Sequence, residues 1–195
     1  MRPPAWALAG STRLDLGEFS AAFADAWSRT GSRFLKLECW QSYREAATNE
    51  SQAAYDRGDV ESAQRLLTEE AEADRPLYQD VRRRGIEYAR VRLVREPLTP
   101  YLKYELLSYR IRAEMGENIE VVRYEPAERP PDERPFDFLL FDGHTALLHD
   151  YGTGAVGFQV GGWLTHDPEV IARLARITRE FRRRASPLGQ YLAQA

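Results

Sequence analysis

At 195 residues the chain is long enough for one domain with a sizeable core, and its 43% hydrophobic and 29% charged residues are ordinary globular values. A net charge of −3 gives no overall attraction to nucleic acid or to an anionic membrane. No apolar run is long enough to span a bilayer and the N-terminus lacks a signal-peptide pattern, so the expectation is a cytoplasmic protein with no membrane partner. The single cysteine, Cys39, cannot make an internal disulfide, and beside Leu37 and Trp40 it reads as a small core residue.

Residues 1–14, with Pro3 and Pro4, read as a loose lead, and residues 15–195 as a single globular domain. Asp15 to Trp27 carries Leu16, Phe19, Phe23 and Trp27 at helical spacing, which predicts an amphipathic helix. Ser32 to Trp40 alternates as a strand. Two polar helices follow, over about Tyr43–Asp56 and Val60–Arg83, with Gly58 between them and Gly85 ending the second. Ile86 to Val94 alternates as a strand; Thr99-Pro100 supplies an N-cap and a proline in the first turn of the next helix, which Gly116 closes. Ile119 to Tyr124 is a strand, and Glu125 to Pro135, rich in proline and charge, is an exposed loop.

Phe136 to Phe141 and Thr145 to Tyr151 are apolar runs around Asp142-Gly143, a strong hairpin signal because both central residues of the favoured two-residue turn need positive φ. A third meander strand is expected near Ala155–Val160, and Asp167-Pro168 starts a C-terminal helix to about Ala185. The fold class is therefore α/β or α+β, a mixed sheet with a C-terminal β-meander over about residues 119–161, flanked by helices.

Three places carry candidate chemistry. The hairpin puts Asp137, Asp142, His144, His149 and Asp150 at strand ends or in the turn, where a sheet can present them to a ligand. In the helix from Thr99 to Met115, Leu98, Leu102, Leu106 and Tyr109 form one apolar stripe and Tyr104, Leu107, Ile111 and Met115 another, so both sides are buried. Between them Tyr101, Glu105, Ser108 and Arg112 share an edge. A carboxylate there needs a partner, so Glu105 is expected to pair with Arg112 or accept from Tyr101, and the edge either lines a pocket or is a buried ion pair. The C-terminal helix has an arginine-rich face, with Arg173, Arg176 and Arg183 its candidate phosphate contacts; in an acidic chain without interleaved aromatic residues, nucleic acid is not the expected partner.

His144, His149 and His166, with Asp142, Asp150 and Asp167, fit no metal motif, and there is no phosphate loop, nucleophile elbow or Cys-x-x-Cys. No metal or cofactor is expected.

Val91 to Glu105, Gly116-Glu117-Asn118-Ile119 and Phe136 to Asp142 together resemble an uncharacterised actinobacterial domain-of-unknown-function family, members of which are often encoded beside helix-turn-helix regulators of the Xre type. The resemblance covers about Leu16 to the C-terminus. It implies a cytoplasmic protein with a regulatory or partner-binding role and supplies no catalytic residues. The strand, hairpin and helix at the end also resemble the phospholipase-D-type fold of some ligand-sensing regulators, but His144-Thr145-Ala146 lacks the lysine of that fold's His-x-Lys catalytic motif. The expectation is a non-enzymatic regulatory or adaptor protein, binding a small ligand or a helix-turn-helix regulator through Tyr101, Glu105, Arg112, Asp137 and Asp142. Its rival is a small enzyme using Glu105, Asp142, Asp150 and His149 in acid–base chemistry on a phosphate-containing or nucleic-acid-derived substrate.

Overall fold

A computed structural model describes residues 2–44, 49–125, 134–152 and 157–194. In chain order the elements are α1 (Ala5–Leu8), β1 (Thr12–Leu14), α2 (Leu16–Arg29), β2 (Arg33–Glu38), α3 (Glu50–Asp56), α4 (Val60–Ala73), α5 (Arg75–Arg84), β3 (Glu87–Val94), α6 (Pro100–Glu114), β4 (Ile119–Arg123), β5 (Phe138–Phe141), β6 (Thr145–Asp150), β7 (Gly161–Thr165), α7 (Pro168–Arg182), β8 (Ser186–Pro187) and α8 (Leu188–Leu192). The strands form one mixed sheet in the order β1-β7-β6-β5-β2-β3-β4-β8. Only β2, β3 and β4 run parallel to one another, and the helices crossing between them cover the sheet. The mixed α/β architecture is the one the sequence pattern implies.

The helix starts are set locally. Asp15 accepts from Glu18 N–H while the Glu18 carboxylate accepts from Asp15 N–H, a reciprocal capping box for α2. Thr99 accepts from Leu102 N–H at α6, and Asp167 accepts from Glu169 and Val170 N–H at α7. Gly85 ends α5 at φ 65°, a left-handed cap that suits glycine. The helix predicted over residues 60–83 is two helices that meet at Asp74, because Pro76 has no N–H and is tolerated only in a first turn. The helix predicted from Tyr43 begins at Glu50; residues 45–48 lie outside the described residues, as do residues 126–133 of the predicted Glu125–Pro135 loop.

Three other expectations need correction. Residues 1–14 are no loose lead: β1 pairs antiparallel with β7, Ala7 is fully buried, and Trp6 meets Phe136 edge-on at 5.9 Å. The third meander strand is β7, later than Ala155–Val160, and the meander is β5-β6-β7 alone, since β4 lies between β3 and β8. Gly161 and Gly162 hid that strand. A Cβ on Gly161 would lie 2.3 Å from the Leu14 carbonyl oxygen and one on Gly162 2.5 Å from the Phe19 ring, so close packing explains them. Finally, Phe141 pairs with Thr145, leaving three residues in the hairpin loop; Asp142 (φ 50°) and Gly143 (φ 79°) take the expected positive values, and His144 N–H closes the turn on Phe141 O.

Alternation along the central strands sends residues to two different layers. Leu35, Leu37, Ala89, Val91, Leu93, Phe138, Leu140 and Leu148 pack against α7 through Ile171, Leu174 and Phe181. The opposite face is apolar at its two flanks. Phe34, Phe141, Leu139 and Leu147 sit with Phe19 and Ala26 of α2, while Ile119 and Val121 sit with Leu102, Leu106 and Tyr109 of α6. The outer side of α6, through Tyr104 and Ile111, packs on Leu67 and Ala71 of α4. Both apolar stripes of α6 are thus buried as its sequence implies.

Candidate functional site

Between those flanks the same sheet face is polar. The register sets Lys36 beside Arg90 and Glu38 beside Arg92, and Asp137, just before β5, and His149 of β6 extend the row. These side chains floor a cavity of about 380 Å³ whose walls come from Tyr101, Glu105, Ser108, Tyr109 and Arg112 of α6, from Asp74 after α4, and from Trp40, Tyr43 and Tyr151. Carbon-rich rings line one side: Trp40 stacks on Tyr151 at 5.7 Å, and Tyr43 meets Tyr101 at 5.9 Å and Tyr151 at 5.4 Å.

Much of the floor is internally paired. Arg90 bridges Glu38 (3.0 Å) and Glu117 (2.6 Å), Lys36 reaches Glu38 at 2.7 Å, and Tyr78 donates to Glu117 at 2.7 Å. Burial raises Glu38, but Arg90, Lys36 and Arg92 outweigh it and hold the carboxyl well below the usual range. Burial and the Glu117 charge push the Tyr78 phenol up to about 12. Asp137 accepts from Cys39 N–H (2.7 Å), Trp40 N–H (3.2 Å) and Tyr151 Oη–H (2.9 Å), and burial raises its pKa. It braces the aromatic wall.

Other groups are not fully served. Arg92 is 2% exposed, and one of its Nη groups donates to the Trp40 carbonyl at 2.6 Å, yet its Nε has no hydrogen-bond partner among the described residues. Trp40 Nε1 and His149 Nδ1 are in the same condition. Tyr109 Oη lies 2.5 Å from Glu38 Oε2 and also within hydrogen-bond reach of Glu105, so one phenol proton faces two carboxylates. Burial, helped by Lys36, takes His149 down to about 4 against Glu38 and Gln159, leaving the imidazole neutral near pH 7.

Tyr101, Glu105, Arg112, Asp137 and His149 therefore meet around one cavity. The expected partner of Glu105 is corrected: it accepts from Tyr109, one turn on, and stands 4.0 Å from Arg92, while Arg112, two turns away, pairs with Asp74. The remaining hairpin carboxylates lie elsewhere. Asp142 accepts from Gly31, Ser32 and Arg33 N–H and from Ser32 Oγ–H; burial would raise it, but these donors take its pKa down to about 2. Asp150 pairs with Arg13 and Arg2 and accepts from Gly152 N–H.

The histidines do not converge. His144 and His166 both contact Thr145 Oγ1, at 3.0 and 3.2 Å, away from His149, and among the described residues no cluster of three metal-ligating side chains occurs. On α7, Arg173 lies over the Trp6 ring at 3.9 Å and Arg176 is exposed. Arg183, with Arg33, Arg179 and Arg182, lines a separate cleft of about 480 Å³ in which Arg182 is held by Glu120 and Glu87. That cleft is larger, but among the described residues no buried unpaired donor lines it.

Reading the sequence alone missed Lys36, Glu38, Arg90 and Arg92. The signal was present. Central strands flanked by helices are buried on both faces and normally run as continuous apolar stretches, so charges at every second position of Lys36-Leu37-Glu38 and Arg90-Val91-Arg92 mark a site. The chain belongs to a family described as a domain of unknown function, DUF6879. The family model matches residues 21–193, which takes in every element around the cavity. No match is found among curated proteins. No helix among the described residues is long and apolar enough to cross a membrane.

Proposed function

We propose that this member of the DUF6879 family is a non-enzymatic regulatory or adaptor protein of the cytoplasm, and that the cavity beneath α6 receives a small polar ligand. The observation that carries the reading is Arg92, a buried guanidinium whose Nε has no acceptor among the described residues. A buried donor left unmade costs about 1–3 kcal/mol, and a ligand acceptor in the cavity recovers it. Trp40 Nε1 and His149 Nδ1, unpaired around the same space, support the same conclusion. The partner that reads ligand occupancy is, following the family resemblance of Val91–Glu105 and Phe136–Asp142, a helix-turn-helix regulator of the Xre type.

A second reading has one specific support. Glu105, on the cavity wall, has only a share of the Tyr109 proton and so keeps acceptor capacity for a substrate proton, a placement suited to a general base. Asp142 and Asp150 take no part in it, because their donors lie outside the cavity.

Thermal denaturation in the presence of millimolar amino acids, nucleosides, sugars and sugar phosphates tests the proposal. At least one compound raises the Tm, because it binds the folded state only, and the shift is lost in Glu105→Gln. Absence of any shift, or an equal shift in the variant, sinks the cavity reading. Conversion of the bound compound to a product establishes the enzyme instead.

A further inference from the structure

We infer that the ligand of this cavity is an uncharged nucleobase or nucleoside, held by a base edge that carries an N–H donor beside a carbonyl or ring-nitrogen acceptor. This builds on the proposal that the cavity binds a small ligand.

Charge is the first argument. Each cation on the cavity surface already faces a carboxylate: Lys36 and Arg90 face Glu38, Arg112 faces Asp74, and Arg92 stands 4.0 Å from Glu105. Glu70 and Asp137 add further negative charge to the lining. A phosphate or a free carboxylate would have to take an arginine from its partner and leave that partner's charge uncompensated in a poorly solvated site. The cavity therefore selects against anions, although arginines line it.

Unmet hydrogen bonds narrow the ligand further. Arg92 Nε needs an acceptor. Glu105 can only accept, and it shares the one Tyr109 proton with Glu38, so it has room for an N–H donor. The Arg92 guanidinium comes within 4.0 Å of Glu105 through Nη2, which also donates to the Trp40 carbonyl, so a ligand edge that serves both Nε and Glu105 must carry its acceptor and donor close together. The amide edge of guanine or hypoxanthine and the amidine edge of adenine or cytosine have that arrangement, as does an amide in general.

Shape separates these sources. Trp40, Tyr43 and Tyr101 bring aromatic rings to the cavity next to the polar edge, Tyr151 being stacked on Trp40 and His149, and the Tyr101 ring is itself 6.0 Å from the Arg92 guanidinium. Flat π surface of this kind suits a base, whose whole ring can stack, whereas glutamine or an aliphatic amide offers only the small plane of its amide group. A volume of about 380 Å³ is within the range of small-molecule sites.

The test is isothermal titration of the intact chain with guanosine, inosine, adenosine, cytidine and uridine, beside glutamine, ribose 5-phosphate and inorganic phosphate. At least one nucleoside binds, and its analogue methylated on the edge nitrogen binds at least tenfold more weakly. Glutamine, ribose 5-phosphate and phosphate do not bind. Glu105→Gln weakens the nucleoside at least tenfold, and Tyr101→Leu, which leaves every charge in place, also weakens it; circular dichroism confirms that both variants are folded. Binding of ribose 5-phosphate, phosphate or glutamine without any nucleoside overturns this inference and leaves the ligand-binding proposal standing. Equal binding of the methylated analogue also overturns it alone. Silence across the whole panel of both experiments overturns the two together.

Discussion

Asp142 at the hairpin tip and Glu105 above the cavity are both carboxylates set among apolar sequence, yet their surroundings differ in kind. Asp142 collects three backbone N–H groups and a hydroxyl, all from the chain between α2 and β2, and so ties the hairpin to the start of the central strand. Glu105 has a share in one phenol proton and an arginine 4.0 Å away. A carboxylate whose acceptor capacity is met by its own fold is architecture. One left partly unmet, beside a buried arginine with a free Nε, has capacity for another molecule. The same contrast exists inside the cavity, where Arg90 is fully engaged and Arg92 is not.

Arg90 gives the largest test of that contrast. Arg90→Met removes the only group that bridges Glu38 and Glu117 in the observed pairings, leaving two buried carboxylates short of a cation, and should destabilise the fold by about 3–5 kcal/mol in urea denaturation. Arg90→Met with Glu117→Gln should recover part of that loss, since the stranded charge goes as well. If the single variant costs under 1 kcal/mol, the paired half of the floor is not structural and the division drawn between Arg90 and Arg92 fails.

Asp142→Ala comes next. It removes an acceptor shared by four donors and sets alanine at φ 50°, so a loss of about 2–3 kcal/mol is expected, with ligand-induced Tm shifts unchanged. A variant that melts normally but no longer responds to ligand would place Asp142 in the site and break the comparison from the other side.

How far these roles can be read from sequence depends on the range of the interactions. Helix caps such as Asp15, Thr99 and Asp167 act within three residues, and both stripes of α6 follow from one helix period, so all were legible. The edge of Tyr101, Glu105 and Arg112 and the hairpin residues Asp137 and His149 were legible as polar groups in apolar settings, and they do meet. What joins them was not. Lys36 and Glu38 reach Arg90 and Arg92 through parallel pairing of strands some fifty residues apart, and Asp74 finds Arg112 across two helices. Asp142 and Asp150 had the same local signature as Asp137, but their partners, at residues 31–33 and at Arg13, are as distant in sequence. Strand β7 was placed too early, near Ala155–Val160, for a related reason: Gly161 and Gly162 carry no strand signal of their own, and what they accommodate, Leu14 and Phe19, is distant in sequence.

The smallest expected effect separates the two regions by pH. Burial lowers His149 to about 4 from an ordinary value near 6.5, so between those values the unfolded chain takes up a proton that the folded chain refuses. The cavity region therefore loses stability as pH falls from about 6.5 toward 4. Because the ring is only half-buried, between Phe19 at 5.0 Å and Tyr151 at 5.7 Å, the loss is about 1–2 kcal/mol and not the whole value of the shift. Asp142 behaves in the same direction but lower on the scale: its folded pKa of about 2 lies under the ordinary carboxylate value, so its contribution is complete above about pH 4 and disappears only as pH drops toward 2. Urea denaturation across pH 7 to 4.5 should show the wild type losing stability relative to His149→Gln, while Asp142→Asn runs parallel to the wild type in that window. Parallel curves for His149→Gln would mean that the imidazole is protonated freely in the folded chain and that its environment is open to water. Divergence of the Asp142→Asn curve above pH 5 would mean that the hairpin tip does not hold its carboxylate as its four donors imply.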